Sequence, residues 1–280
     1  MLTKNILMKS RVLLLFTILL LTACAPQAEA TSALIPTGVL TSTPKSLSLV
    51  VVGDSIAFNS PEDCPGCTGF VDRYAEAVTK ATEHPVNVQN LSQHNGLQID
   101  GLLDELGPNS FRRDALIDAD IIIVNIAHND VAWGRNDDPC DGPTGENPDW
   151  SKFDATCAAA AAEIFRPKFE RLYAQIVDMR AGKPTIFLTI NRYNDWIGDG
   201  VPPEAIQATH AVVDAWNAMV CKAAASNGFL CADIYHTFNG DDGLKGAPDL
   251  LANDFTHPSD KGNEVIAQVL TSSGYAPLIP

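Results

Sequence analysis

The stretch Ser48-Leu49-Val50-Val51-Val52-Gly53-Asp54-Ser55 decides how the rest of the chain reads. Its unbroken run of aliphatic and β-branched side chains fits a strand buried on both faces, as in a parallel sheet covered by helices. The run stops abruptly at Gly53-Asp54-Ser55. Open α/β sheets hold their ligands beyond the carboxyl ends of the strands, so this stop makes the Ser55 hydroxyl a candidate nucleophile. Gly, Asp and Ser are equally the residues of an ordinary β-turn. The stretch alone does not choose between the two.

Working outward, the same alternation of elements recurs. Residues 70–83 carry Val71, Tyr74, Ala75 and Val78 on one helical stripe, ended by Pro85. Residues 86–91 alternate apolar with polar and read as a second strand, and Asn95-Gly96 marks a turn. Residues 97–106 suit a short helix stopped by Gly107-Pro108, with Asn109 placed to cap another through Ile117. Residues 119–126 contain Ile121-Ile122-Ile123-Val124, a second doubly buried strand, which stops at Ala127-His128-Asn129-Asp130. A long polar loop over 131–152 follows, and loops of that length are usually functional or stapled. Residues 155–181 form an Ala-rich helix with Pro167 as a kink or boundary. A strand over 184–190, a loop over 192–203 with Trp196, a helix over 204–226 stopped by Gly228 and a short strand over 229–234 come next. Asp254-Phe255-Thr256-His257 lies in the loop after that strand, and Ser259 caps a closing helix over 259–270.

Five strands alternating with helices predict a three-layer α/β/α sandwich around a five-stranded parallel sheet. Right-handed crossovers make the flavodoxin-like order 2-1-3-4-5 the economical one. Ser55, Gly96 and Asn129 then follow the first, second and third strands, and Asp254 and His257 follow the fifth. Convergence of residues so distant in sequence favours a site over a turn at Ser55.

The N-terminus is not part of this pattern. Lys4, Lys9 and Arg11 precede an apolar run over 12–21, a charged segment and short hydrophobic core of the kind found in export leaders. Leu21-Thr22-Ala23-Cys24 follows directly and resembles the lipobox of bacterial lipoproteins. The resemblance implies cleavage before Cys24 and lipid attachment at that residue, anchoring the chain to a membrane surface; a plain secretory leader is the alternative. Residues 1–23 are thus expected to be a leader, 24–45 an Ala/Ser/Thr/Pro-rich tether and 46–280 the folded domain, located outside the cytoplasm.

The chain has 19 Lys and Arg against 34 Asp and Glu, a net charge of −15, and loss of the leader would deepen it. Such a balance argues against a nucleic-acid partner and against electrostatic docking on anionic lipid. Besides Cys24 there are Cys64, Cys67, Cys140, Cys157, Cys221 and Cys231. An even number in an exported chain reads as disulfides, and local pairing (Cys64–Cys67, Cys140–Cys157, Cys221–Cys231) is expected among the possible sets. A metal site at Cys64-Pro65-Gly66-Cys67 lacks a second closely spaced ligand pair, and no metal or cofactor is expected.

The chemistry-bearing residues resemble the GDSL, or SGNH, hydrolase family. Gly53-Asp54-Ser55, followed by Ile56 where Leu is usual, matches the nucleophile block. Asn90-Leu91-Ser92 with Asn95-Gly96 is similar to the second block, at a spacing one residue longer. Ala127-His128-Asn129-Asp130 is similar to the third, with Ala127 in place of glycine, and Asp254-x-x-His257 matches the last. The resemblance implies an esterase or lipase with Ser55 as nucleophile, His257 as base and Asp254 as its orienting carboxylate. Ser55, Gly96 and Asn129 would donate to the oxyanion. These roles suit the residue types. A serine hydroxyl needs a base to take its proton, a carboxylate fixes the imidazole tautomer, and an amide stabilises an oxyanion where a carboxylate would repel it.

Asp54 and Asp130 are expected to support the turn and the loop, and His128 to point away from the chemistry. His84, His94, His210 and His236 are assigned none. Trp133 and Trp196 are expected to line an acyl or sugar pocket or else to pack their loops. The acidic stretches 136–141 and 239–242 fit no full calcium loop and read as solvated. The substrate is expected to be a lipid, short-chain or O-acetyl glycan ester, hydrolysed by a monomer; acyl transfer on the same fold and a non-catalytic solute- or carbohydrate-binding lipoprotein are the alternatives.

Overall fold

A computed structural model describes residues 45–130, 138–141, 149–198 and 201–278. The leader, Cys24, nearly all of the tether, Trp133 and residues 136–137 lie outside the described residues. In chain order the elements are β1 (Leu47–Gly53), α1 (Ser55–Phe58), α2 (Phe70–Thr82), β2 (Val86–Asn90), α3 (Ile99–Glu105), α4 (Phe111–Asp118) and β3 (Ile121–Asn125). There follow a 3-10 turn over Trp150–Lys152, α5 (Ala155–Met179), β4 (Ile186–Ile190), α6 (Pro203–Ser226), β5 (Leu230–Ala232), α7 (Ile234–Asn239) and α8 (Asp260–Ser272).

The strands form one all-parallel sheet in the order β2-β1-β3-β4-β5. The period of two in a strand explains its two cores. Val50, Val52, Ile122 and Val124 face a cluster built with α3, α4, α5 and α6. Leu49, Val51, Ile121 and Ile123 face the opposite cluster, built with α2, α7 and α8. All eight are completely buried, each contributing on the order of 1.5–3 kcal/mol relative to exposure. The doubly buried reading of β1 and β3 is therefore met, and the expected sandwich and strand order are both present.

Several local expectations need correcting. Two short helices, α1 and α7, are additional to the expected elements; at four and six residues they are too short to show a helical period. Ser110, not Asn109, caps α4, since its Oγ accepts from the Arg112 N–H at 3.2 Å while Asn109 takes a left-handed φ of 65°. Helix α5 continues through Pro167. Its buried face runs from Ala158 to Met179 on both sides of the proline, and that packing outweighs the one backbone hydrogen bond the ring removes. The 239–242 stretch is not simply solvated: Asn239 is fully buried and donates to the carbonyls of Asn194 (3.0 Å) and Lys245 (2.9 Å).

The sulfurs of Cys64–Cys67, Cys140–Cys157 and Cys221–Cys231 are bonded, with Cα separations of 5.5, 5.1 and 5.3 Å. The last fastens edge strand β5 to α6.

Two carboxylates lock the sheet edge that carries the loops. Asp54 is completely buried; its Oδ2 accepts from the N–H groups of Ala127 (3.2 Å) and His128 (3.1 Å), beyond β3. Burial pushes its carboxyl up, although those bonds, that of Ile56 and the charge of Arg192 oppose this. Asp130 Oδ2 accepts from the Ile99 N–H that opens α3, at 2.9 Å. Burial raises the Asp130 carboxyl to about 6, against the pull of that bond. Both carboxylates thus tie loops to the sheet edge.

Two predictions follow from this edge. A Cβ on Gly53 would lie 2.1 Å from the carbonyl oxygen of Asn125, its partner across β1 and β3. Gly53→Ala should therefore cost at least about 1–3 kcal/mol, as overpacking does, read as a lowered urea midpoint; an unchanged midpoint would mean that β1 slides freely against β3. The second concerns Asp130, whose folded carboxyl binds its proton more tightly than the unfolded one. Between pH about 4 and about 6 the native state holds more protons, so this group's contribution to stability declines as pH rises through that window. Asp130→Asn should gain on the wild type by up to about 3 kcal/mol from the lower to the upper end, at 1.36 kcal/mol per pKa unit. Thermal melts of both proteins at pH 4 and pH 7 check it; a pH-independent difference would refute it.

Candidate active site

Ser55 opens α1, directly after the capping residue Asp54, whose Oδ1 accepts from the Ile56 N–H at 3.1 Å. As the first residue of a helix, Ser55 has a backbone N–H with no acceptor inside that helix. Its Oγ lies 2.9 Å from Nε2 of His257. The other ring nitrogen of His257, Nδ1, lies 2.5 Å from Oδ2 of Asp254. Hydrogen bonding to this carboxylate places the hydrogen on Nδ1 and leaves Nε2 as the acceptor for the serine hydroxyl.

The loop bearing Asp254 and His257 is held at several points. Asp254 Oδ1 accepts from the N–H groups of Thr256 and His257, both at 3.0 Å, so the carboxylate is oriented by its own loop. Partial burial would raise its carboxyl, but the His257 ring and these two N–H groups prevail and hold it below the usual range. The Ala252 N–H donates to the His257 carbonyl at 2.7 Å, and Leu251 bridges Pro258 in antiparallel fashion. From beyond β4, the buried Tyr193 hydroxyl donates to the Thr256 carbonyl at 2.6 Å. Ser259 then caps α8 by accepting from Gly262.

The expected oxyanion donors occupy the adjoining loops. Asn129 lies four residues past the end of β3, and its amide donates to the Leu97 carbonyl at 3.1 Å. That bond uses one of its two amide hydrogens and fixes the plane of the group, leaving the second to donate elsewhere. Gly96 lies in the loop after β2, which the Gln93 N–H ties to the Gly53 carbonyl at 3.0 Å. It is exposed and has a left-handed φ of 73°.

His128 points away from the chemistry, as expected. It is buried, packs on the Tyr193 ring at 4.8 Å, and both ring nitrogens lack a hydrogen-bond partner. Burial, helped by the charges of Arg192 and His257, holds its pKa well below the ordinary value, so it stays neutral.

Arg192, expected only as the start of a loop, is a buried part of the framework around this site. Its buried guanidinium donates to the His128 carbonyl (3.2 Å) and to Asp195 (3.1 Å) and lies 3.9 Å over the Trp196 ring. The one available signal was its position directly after the strand-ending Asn191. Asp63 carries no sequence signal either, and His94 is one of the histidines assigned no chemistry. Asp63 Oδ2 lies 3.4 Å from His257 Nε2 and 2.9 Å from His94 Nε2, and the His94 and His257 rings are 5.8 Å apart. Nothing in their sequence neighbourhoods marks them.

Beside the loop of Asp254 and His257 opens a cavity of about 600 Å³, lined by Trp196, Ile197, Val201, Leu251 and Phe255 among others. Trp196 thus both packs its loop and lines a pocket. Phe255, next to Asp254, is 66% exposed, an unusual exposure for a large aromatic and a natural wall for an apolar ligand.

Solved structures with this fold include a lipase from a goat rumen metagenome, at 18% identity and a TM-score of 0.64, covering 83% of this chain and 100% of that one. An extracellular lipase from Streptomyces rimosus is 19% identical with a TM-score of 0.58, covering 82% and 100%. An acetyl xylan esterase from Geobacillus stearothermophilus is 16% identical with a TM-score of 0.52, covering 82% and 96%. At these identities the likeness is one of fold. No curated protein sequence matches the chain. The model of the GDSL-like lipase/acylhydrolase family matches residues 51–265, from the middle of β1 into α8. The match takes in every loop just described, and the chain accordingly belongs to the GDSL-like lipase/acylhydrolase family of ester-hydrolysing enzymes.

Proposed function

We propose that the chain is an extracytoplasmic serine esterase, anchored through Cys24, that hydrolyses carboxylic esters by way of an acyl-enzyme. The observation that carries this reading is the unbroken relay from Ser55 Oγ to His257 (2.9 Å) to Asp254 (2.5 Å). His257 Nε2 takes the Ser55 proton as Oγ attacks the ester carbonyl carbon. The carbonyl oxygen becomes an oxyanion, received by the N–H groups of Ser55 and Gly96 and the second amide hydrogen of Asn129. Asp254 stabilises the imidazolium, which then returns the proton to the departing alkoxide, leaving the acyl group on Ser55. Water, deprotonated by His257, repeats the attack and releases the acid. The lipobox-like Cys24 and the export leader support placement at a membrane surface, and the acidic surface leaves substrate attraction to the cavity and not to charge.

The substrate class proposed is an ester with a short to medium acyl chain on a lipid or glycan alcohol. The cavity walled by Trp196, Leu251 and Phe255 supports this: its lining is mostly apolar, and Phe255 belongs to the loop that carries Asp254 and His257. Proteins of this fold include a lipase, an acetyl xylan esterase and a phospholipase A1, which supports an ester as substrate.

The reading is tested on p-nitrophenyl esters of increasing chain length. Ser55→Ala should lower kcat by at least about 10³-fold, and Asp254→Asn by up to about 10⁴-fold, with KM little changed. Asn129→Ala should lower kcat by about 10²–10³-fold, as loss of one oxyanion donor does. Full activity in Ser55→Ala would sink the nucleophile assignment. In the cavity, Phe255→Ala should raise KM for longer acyl chains more than for acetate; equal effects on both would place the acyl group elsewhere.

A further inference from the structure

The catalytic imidazole has a second carboxylate neighbour. Because Nδ1 of His257 faces Asp254, neutral His257 presents at Nε2 the lone pair that the Ser55 hydroxyl approaches at 2.9 Å. Asp63 Oδ2 stands 3.4 Å from that atom. A carboxylate oxygen and an imidazole lone pair this close repel each other, and a cation held between them would turn the repulsion into attraction. Both oxygens of this carboxylate face His94 Nε2, Oδ1 at 3.2 Å in a hydrogen bond and Oδ2 at 2.9 Å, and the buried Oδ2 makes no directed hydrogen bond. His94 closes the third side, held in place by stacking on Phe58 at 5.7 Å.

The donor atoms of Asp63, His94 and His257 all lie within 4.8 Å of one another. Tetrahedral zinc holds imidazole nitrogen at about 2.0–2.1 Å and carboxylate oxygen at about 2.0–2.2 Å, so its ligand atoms sit roughly 3.3 Å apart. The Asp63 to His94 and Asp63 to His257 separations, 2.9 and 3.4 Å, already bracket that value. Two imidazoles and one carboxylate suit zinc and its transition-metal neighbours, whereas calcium and magnesium want oxygen. The His94 side chain is 32% exposed, which leaves an entry path and room for water as a fourth ligand.

We infer that Asp63, His94 and His257 form a site for a zinc-type divalent metal that switches the esterase off. A metal on Nε2 occupies the lone pair that must accept the Ser55 proton. No covalent bond is broken: His94 coordinates through Nε2 with its ring hydrogen on Nδ1, and Asp63 coordinates as a carboxylate. The inference rests on the reading of His257 as the base.

The test titrates Zn²⁺ against p-nitrophenyl acetate hydrolysis by the full chain in mild detergent. In parallel, Co²⁺ binding is followed by visible absorption in Ser55→Ala, which retains all three ligands. Reversible inhibition, relieved by a chelator, is expected, together with a tetrahedral Co²⁺ spectrum that disappears in His257→Ala. Asp63→Asn and His94→Gln should keep basal turnover and their far-ultraviolet circular dichroism. Each should raise the zinc concentration for half-inhibition by at least about tenfold, the low end of what losing even an outer hydrogen-bond partner costs a metal site. Inhibition unchanged in both variants, or a Co²⁺ spectrum that survives loss of His257, overturns the site. Should Ser55→Ala remain fully active, the reading of the base falls, and the inhibitory role with it. An inactive Ser55→Ala combined with zinc-insensitive wild type refutes the metal site alone.

Discussion

The close approach of Gly53 to Asn125, clasped by the buried Asp54 carboxylate, is the constraint on which the site depends. A side chain at position 53 would meet the Asn125 carbonyl oxygen, so the last residue of β1 can only be glycine. The next residue turns its carboxylate back across the same gap, to the N–H groups of Ala127 and His128. In this way the chain after β1 and the chain after β3 become one unit. Ser55 and Asn129, 74 positions apart in sequence, are each a step away from this clasp and inherit its rigidity. A site assembled on strand ends fixed by packing keeps its geometry better than one borne on free loops.

The His257 side of the relay is built differently. Its orienting carboxylate is three residues away in the same loop, so the pair needs almost no tertiary organisation. What does need organisation is the position of the loop as a whole. Tyr193 supplies it from beyond β4 by binding the Thr256 carbonyl, and Asn263 on α8 holds the loop's exit by donating to Pro258 and Ser259 while accepting from Phe70. Arg192 neutralises the polar interior next to these anchors, donating to the His128 carbonyl and to Asp195. A buried cation of this kind is costly without partners, and here its partners are the same chain ends that carry the site.

These two halves differ in how legible they are. Doubly buried strands, their order and the four motif blocks could be read because apolar runs and turn residues are local signals. Ser55, Asn129, Asp254 and His257 could be placed together because parallel topology puts strand ends on one side. Tyr193, Arg192, Asn239 and Asn263 could not, because a buried polar residue satisfied by distant backbone looks in sequence like any loop or helix residue. Helices α1 and α7 escaped for another reason: each is shorter than the window over which a helical period becomes visible. Asp63 and His94 are the extreme case, since their meeting at His257 depends on two loops, one of them closed by Cys64–Cys67, and neither carries a pattern.

Phe255 connects the loop of Asp254 and His257 to the neighbouring cavity. Its φ of 60° lies in the left-handed region, where a residue with a side chain is rarely found. Such a conformation costs on the order of 1–3 kcal/mol and persists only where the surroundings impose it. Here the surroundings are plain: Asp254 must reach both the Thr256 and His257 N–H groups with one oxygen and the imidazole with the other. A reversal at position 255 allows the carboxylate to face its own loop. The same reversal turns the Phe255 side chain outward, into the wall of the cavity beside the base. Glycine would relieve the strain but leave that wall open, which is a physical reason for a large aromatic to occupy an unfavourable backbone position. The turn that orients His257 and the aromatic wall of the cavity are thus one backbone feature, and a change at position 255 acts on both.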